Sequence, residues 1–470
     1  MRQTQKINAA SAPTGIMKIP VQPPATHHLL RTIVETTNQP NRLVEILSKG
    51  IGPTSENGQY RHWDTQRHLQ PPNGMTVEEW WLATKLARQS SYRKISLKAT
   101  NQKPFQFAMV DEAWQMVTEI DKFAGGNIKG SWSLSQSSLR DTFLIRSLME
   151  EAITSSQLEG AATTREIAKD MLQTGRMPND RSERMIFNNY LAMRRIQEIK
   201  KEKLSPEKIF ELHRIVTEQT LDNTTAAGRF RDAHEQVHVV DDLNRPLYTP
   251  PPASELSERM KAMCAFANGE SDVQYVHPVI RAILLHFWLA YDHPFVDGNG
   301  RTARTLFYWN MVSNDYWLFE YLSISSVIKR APIQYGRAFL YTETDDNDLT
   351  YFILNQLRVI LNAIKELHDN LAKHLTRLDQ IRDILSRSPK FRTLFNHRQL
   401  TLLDHAIQNP GFVYSTESHM RSHGISLATS RADLTELAKF NLLRKYKKGH
   451  AFLFEAPRDL QTQIHAVSKR

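Results

Sequence analysis

Twelve residues, His293 to Arg304, read HPFVDGNGRTAR. They bring a base, a carboxylate, two glycines around an Asn and two guanidinium groups into one short stretch. A neutral imidazole at His293 can take a proton from an attacking hydroxyl. Asp297 can hold Mg2+, a hard cation that takes oxygen ligands and brings phosphates with it. Gly298 and Gly300 let backbone approach phosphate oxygens closely. Arg301 and Arg304 can grip further phosphate oxygens. Base, metal ligand, anion cradle and cationic clamp are the parts that phosphoryl or nucleotidyl transfer needs. The competing reading is a helix–helix corner with a surface His and solvated charges. A bare GNG would favour that reading, and the complete string does not.

The flanking segments must position these groups. HPVIRAILLHFWLAYD is apolar nearly all round, so it reads as a buried helix. RTARTLFYWNMV reads as the helix that follows. DGNG is then a bend at the N-terminus of the second helix, where free N–H groups and a partial positive charge favour anions. The pattern is helical almost throughout from 137 to about 365. In SPEKIFELHRIVTEQT, Ser205 is the N-cap and Pro206 opens the first turn. QVHVVDDLNRPLYTPPP breaks the rule, because β-type residues flank a turn-like DDLNRP, and it reads as a β-hairpin. The prolines from Pro250 to Pro252 end its second strand.

HPFVDGNGRTAR resembles the signature of the Fic family, H-x-F-x-D/E-G-N-G-R-x-x-R, and every fixed position matches. The resemblance covers roughly 137–365 and is strongest over 205–355, the expected Fido domain. It implies a mainly α fold: a Fic-type helical core with a short β-hairpin flap. It also implies transfer of AMP from Mg-ATP to a Ser, Thr or Tyr hydroxyl of a target protein. By that resemblance His293 is the general base and Asp297 the Mg2+ ligand. Gly298, Asn299 and Gly300 hold the α- and β-phosphates, Arg301 and Arg304 the outer ones, and Phe295 anchors the loop.

A second stretch, SSQLEG from Ser155 to Gly160, resembles the family's inhibitory motif, [S/T]-x-x-x-E-[G/N]. Glu159 would pair with Arg304 and block a productive ATP pose. Taken alone, those six residues also fit an ordinary helix end. The hairpin 237–249 resembles the family's flap, which aligns a target segment by strand addition. Leu247 and Tyr248 would line the nucleotide pocket, and GRFR, Gly228 to Arg231, matches the stretch before the flap. Tyr335 falls where the family places an aromatic near the nucleotide base. Core packing is the alternative for both tyrosines.

HEQVH, His234 to His238, matches the zinc-protease string. That chemistry needs both histidines on one face of a helix. Here the string runs into VHVV, and on a strand the two would sit about 13 Å apart. Flap-surface residues are the reading preferred.

The remaining chain divides by texture. Residues 1–57 read as a mostly irregular start with one amphipathic patch, within an N-terminal region of 1–136. Thr76 and Glu79 form a capping box ahead of the helix EEWWLATKLAR, and Trp80 and Trp81 are expected to pack against the next domain rather than to form a docking surface. A long helix carries Leu357, Leu361, Ile364, Leu371, Leu375, Leu378 and Leu385, which fits either a dimeric coiled coil or an arm packed on its own chain. Residues 366–396 read as a helical linker. Residues 397–470 show helix, helix, helix and a basic hairpin, the order of a winged helix-turn-helix.

The net charge of +10 is concentrated here, since 381–470 holds 15 Lys/Arg against 7 Asp/Glu. Arg421, Arg431, Lys445, Lys447 and Lys448 are the natural phosphate contacts if residues 397–457 bind DNA; protein docking is the other use of such a module. The one Cys, Cys264, reads as a core thiol, and a reducing compartment fits. With no signal peptide and no apolar run long enough to span a membrane, the expected location is the cytoplasm.

The expected function is a protein adenylyltransferase using ATP and Mg2+, autoinhibited by Glu159. The competing readings are removal of AMP from the same target, with Glu159 orienting water, and a nucleotide-sensing DNA-binding regulator.

Overall fold

The computed structural model describes residues 3–6, 18–36, 41–125, 137–174, 176–235, 237–240, 246–271, 274–387, 389–448 and 451–469. The chain forms two units, Met1–Ile128 with Arg146–Ile364, and Lys129–Ile145 with Lys365–Arg470.

At the centre of the first unit are two consecutive helices, Pro278–Asp292 and Asn299–Ser313, nearly every residue of which is buried. The first opens with Pro278 and a His277 N-cap whose ring accepts from Val279 N–H. Around the pair pack the last part of Ser137–Leu158, Arg181–Ile199, Pro206–Thr217, Leu256–Ala267, Pro332–Thr344 and the first part of Thr350–Arg387. Leu357 and Ile364 on that long helix are buried, as the packed-arm reading requires. Ser205 caps Pro206–Thr217 through Lys208 N–H, as expected. Burial pushes the Cys264 thiol up to about 12, so it is an inert core residue.

The expected hairpin forms. Val237–Val240 pairs antiparallel with Pro246–Tyr248, with Val239 opposite Tyr248. The turn of the hairpin, 241–245, lies outside the described residues. A strand absent from the sequence reading, Gln3–Lys6, pairs in parallel with the outer edge, Gln3 opposite Val237 through Lys6 opposite Val240.

The N-terminal region is more ordered than its sequence suggested. The amphipathic patch forms two helices, Thr26–Thr36 and Arg42–Ser48. The Thr76–Glu79 capping box is present on Val77–Gln89. Trp81 is fully buried and Trp80 packs against the cluster around Ile46 and Leu82. A strand pair, Tyr92–Lys98 with Pro104–Ala108, and a helix, Asp111–Ala124, follow. This region grips the end of helix Pro332–Thr344: Lys85 Nζ pairs with Asp345 Oδ1 at 2.8 Å, and Arg88 donates to Tyr351 Oη at 2.8 Å. Arg88 also lies over the Tyr60 ring, 3.7 Å from its centroid.

In the second unit, helices His397–Gln408, Thr416–His423 and Leu427–Lys439 are followed by the hairpin Arg444–Lys448 and Ala451–Glu455. A third strand, Val413–Ser415, pairs with Ala451–Glu455 and was not foreseen. Within the expected helical linker 366–396, Pro389–Leu394 is helical, and Phe391 and Phe395 are buried in this unit's core. Apolar rings spaced four apart account for that packing.

Among the described residues, no helix is long and apolar enough to cross a membrane.

Candidate active site

The helix Pro278–Asp292 ends at His293, whose backbone is left-handed with φ 46°. The chain turns again at Gly298, φ 80°, and re-enters a helix at Asn299. A Cβ on Gly298 would lie 2.7 Å from Thr217 Cγ2, so both the conformation and the space demand glycine.

The five residues between are fixed from several sides. Asn299 accepts from Phe295 N–H at 3.0 Å and donates to Phe295 O at 2.8 Å, which closes the loop on itself. Its side chain is therefore committed to the loop, and only its backbone N–H faces the cradle expected of it. Phe295 is fully buried and stacks on the His213 ring, centroids 3.7 Å apart. His213 Nδ1 accepts from Gly228 N–H at 2.9 Å, so its proton is on Nε2 and donates to Asp297 O, also at 2.9 Å. Arg231, in the GRFR stretch, donates from Nε to His293 O at 2.8 Å, and its backbone N–H bonds Pro294 O at 2.9 Å.

His293 Nδ1 lies 3.2 Å from Ala290 O. A carbonyl can only accept, so Nδ1 carries the proton and Nε2 keeps the lone pair. Burial lowers the imidazole to about 4, which keeps it neutral at physiological pH. The expected base thus has the tautomer and charge state a base requires.

The first turn of Asn299–Ser313 supplies N–H groups that have no acceptor within the helix. Arg301 is fully buried; Nη1 donates to Val216 O at 2.8 Å. Among the described residues its Nε and Nη2 have no hydrogen-bond partner, although Nη2 lies 3.7 Å from Asp297 Oδ2. Two buried donors of one guanidinium beside a helix N-terminus fit an anionic ligand. Asp297 is partly exposed at this mouth, with Gly298 N–H donating to Oδ1 at 2.6 Å. One carboxylate beside a phosphate cradle fits Mg2+, which takes one or two carboxylates together with substrate phosphates.

The opposite wall comes from helix Ser137–Leu158. Ala161 N–H bonds Ser156 O and Gly160 N–H bonds Gln157 O, with Gly160 at φ 94°. This is a Schellman termination, and it leaves Glu159 as the cap residue. The Glu159 carboxylate reaches the cradle. A Cβ built on Gly300 would lie 2.0 Å from Glu159 Oε1. Arg304 Nη2 pairs with the same oxygen at 2.8 Å, Arg304 Nε donates to Ser155 Oγ at 2.8 Å, and Nη2 reaches Ser155 O at 3.0 Å. Burial alone would lower the Arg304 guanidinium; the charge and hydrogen bond of Glu159, with Tyr335 and Glu151 behind them, together raise it.

Glu151 anchors this helix from beneath. It is buried and accepts from Tyr308 Oη and Ser323 Oγ, each at 2.9 Å, and from Ser325 N–H at 3.1 Å.

Between cradle and flap runs a cleft of about 1030 Å3, its open mouth included. Leu247, Tyr248 and Tyr335 line it together with His293, Gly300, Arg304 and Glu159. The two expected aromatics and the motif thus meet in one place.

The HEQVH string does not. Glu235 is held by Arg229 at 2.8 Å through both oxygens, and His238 lies on the flap strand.

His213 and Glu151 were missed from the sequence, and Arg231 was named there only as the end of GRFR, without its contact to His293. His213 did carry a signal, because it shares a helix face with the buried Ile209, Leu212 and Val216.

Residues 203–311 match the sequence profile of the Fic/DOC family. These residues are a Fic/DOC family domain. The chain is 37% identical over 107 residues to a protein adenylyltransferase Fic of Nematostella vectensis, covering 23% of this chain and 22% of that one. It is 29% identical over 170 residues to protein adenylyltransferase fic-1 of Caenorhabditis elegans, covering 36% and 31%. The chain thus matches less than a third of the length of each of these relatives. A Fic family protein from Desulfovibrio desulfuricans superposes with TM-score 0.48 at 18% identity, covering 74% of this chain and 96% of that one.

Proposed function

We propose that this chain is a protein adenylyltransferase held off by Glu159. The observation that carries the reading is the Glu159 carboxylate lying against Gly300 while pairing with Arg304. An anionic group already sits where a helix N-terminus and two guanidinium groups favour phosphate.

The reaction follows from the geometry. ATP would lie along the cleft, with its phosphates on the first-turn N–H groups and on Arg301 and Arg304. Asp297 would hold Mg2+, whose charge offsets that of the phosphates. A target hydroxyl attacks the α-phosphorus as Nε2 of His293 takes its proton. The bond to the β-phosphate oxygen breaks and pyrophosphate leaves with the electron pair. Ala290 O holds the imidazole through Nδ1–H, and Arg231 holds the backbone carbonyl of His293. A target strand would add to the flap edge now paired with Gln3–Lys6 and would have to displace it.

For 397–470 we propose a winged helix-turn-helix. Arg444, Lys445 and Lys447 are exposed on its hairpin, as nucleic-acid contact requires. A salt-dependent affinity of the full chain for duplex DNA supports that use; none at low salt points to protein docking. The single buried thiol suits a reducing, cytoplasmic setting.

The reaction class is tested with α- and γ-labelled ATP and cell lysate, using the Glu159→Gly chain. Protein labelled by the α-label alone, with pyrophosphate released, supports AMP transfer. Label from the γ-position contradicts it. Loss of label from pre-modified protein, dependent on both Glu159 and His293, would instead favour AMP removal.

A further inference from the structure

The mouth of the cradle carries a third guanidinium that the mechanism above does not use. Arg181 is the first residue of helix Arg181–Ile199, directly after its N-cap Asp180. Its Nη2 lies 3.8 Å from Asp297 Oδ2, and its Nη1 lies 3.9 Å from Asp222 Oδ1. Arg301 Nη2 stands 3.7 Å from the same Asp297 oxygen. One carboxylate oxygen is thus bracketed by two cations, and neither is within hydrogen-bond distance of it. The two differ in burial. The Arg301 side chain is fully buried, whereas that of Arg181 is 58% exposed. Among the described residues no hydrogen bond engages the Arg181 guanidinium, so it can swing on its stem.

Outside the mouth, Arg181 and Arg184 line one pocket of about 610 Å3, its opening included, with Asn179, Gln219 and Thr220. Arg184 lies three residues on, on the same helix face. Among the described residues no hydrogen bond or ion pair engages its guanidinium. The carboxylates of this pocket are Asp180 and Asp222. Asp180 is committed to the helix end, accepting from Glu183 N–H at 2.8 Å. The wall therefore holds cationic groups that its own acids do not engage closely, beside the buried Arg301 donors that also lack a partner.

We propose that Arg181 is an outer-phosphate ligand, held near Asp297 until Mg2+ and nucleotide arrive. This rests on the adenylyltransferase reading. Mg2+ takes carboxylate oxygens, and a divalent cation on Asp297 repels a guanidinium a few ångströms away. The metal that comes with the nucleotide thus removes the partner of Arg181. The same nucleotide brings phosphate oxygens, which a planar guanidinium binds through two N–H groups. Arg301 cannot follow, because Nη1 is tied to Val216 O. Arg304 is occupied by Glu159 in the restrained state. Arg181 is the mobile cation at this mouth. It would hold the phosphates that leave as pyrophosphate, and AMP has none for it to hold.

The test is equilibrium binding with Mg2+ at low salt to the full chain carrying Glu159→Gly. The probes are α,β-methylene-ATP, inorganic pyrophosphate and AMP. The methylene bridge blocks transfer and keeps the outer phosphates. Arg181→Gln should weaken α,β-methylene-ATP and pyrophosphate about five- to twentyfold and leave AMP unchanged. Arg181→Lys should keep part of that affinity, since it retains the charge without the planar fork. The difference between the parent chain and Arg181→Gln should shrink as salt is added, because the side chain is exposed. Unchanged binding of α,β-methylene-ATP and pyrophosphate in Arg181→Gln overturns the assignment. So does an equal loss for AMP, which would mark a structural role. Tighter α,β-methylene-ATP binding also overturns it, since Arg181 would then only compete with Mg2+ for Asp297. Binding of no probe by the Glu159→Gly chain itself would fail the nucleotide site, and with it the reading on which this rests.

Discussion

Two sides of the cleft meet at Arg304, and they are held differently. On one side the loop from His293 is fixed by Arg231, by the paired hydrogen bonds of Asn299 and by the His213–Phe295 stack. On the other, Glu159 caps a helix end and meets Arg304 through one oxygen, with its side chain 18% exposed. The His293 loop is built in place, whereas the opposing side meets it through a single carboxylate, which on the proposed reading is the restraint. Restraint and chemistry are thus separable, and substitutions on the two sides should have opposite signs.

The largest effect is expected at the base. In the Glu159→Gly background, His293→Ala should lower transfer by about 10²- to 10⁴-fold, measured as initial rates of α-label incorporation. A rate unchanged by the substitution would break the comparison.

The opposing side comes next. Glu159→Gly should raise transfer by about ten- to a hundredfold, the range set by losing one charge-assisted contact of about 1.5–3 kcal/mol. Glu151→Ala should act in the same direction but less. It leaves Glu159 in place and removes the acceptor that seats its helix on Tyr308 and Ser323.

A smaller change on the catalytic side sharpens the contrast. His213→Asn should lower kcat several-fold in the Glu159→Gly chain, because it loosens the carbonyl of Asp297 and the Phe295 stack. A rise in rate would place His213 with the restraint instead.

The smallest effect is one of pH. His293 is lowered to about 4, so its neutral form persists above that value. In the Glu159→Gly chain, kcat/KM should hold between pH 7 and about 5 and fall only as pH nears 4. An inflection near 6.5, the ordinary value for a histidine, would show that the imidazole is not buried as described.

Much of this site was legible in the sequence. HPFVDGNGRTAR placed base, bend and cradle because each group lies within twelve residues and the spacing encodes the local backbone. SSQLEG placed Glu159 because Gly160 is what a helix needs to stop there. What stayed hidden is non-local. Arg231 acts on His293 across 62 positions, and Glu151 meets Ser325 across 174. The parallel pairing of Gln3–Lys6 with the flap depends on a partner more than two hundred residues away. The strands at Tyr92–Lys98 and Pro104–Ala108 were missed for a simpler reason: short elements give too few periods to read.

The central claim is that one carboxylate restrains an otherwise complete site. The most direct measurement is α-label incorporation from Mg-ATP by four full-length chains: unaltered, Glu159→Gly, His293→Ala and the double variant. The account predicts strong labelling in the Glu159→Gly chain, little in the unaltered chain and none where His293 is lost. Equal labelling by the unaltered and Glu159→Gly chains would contradict it.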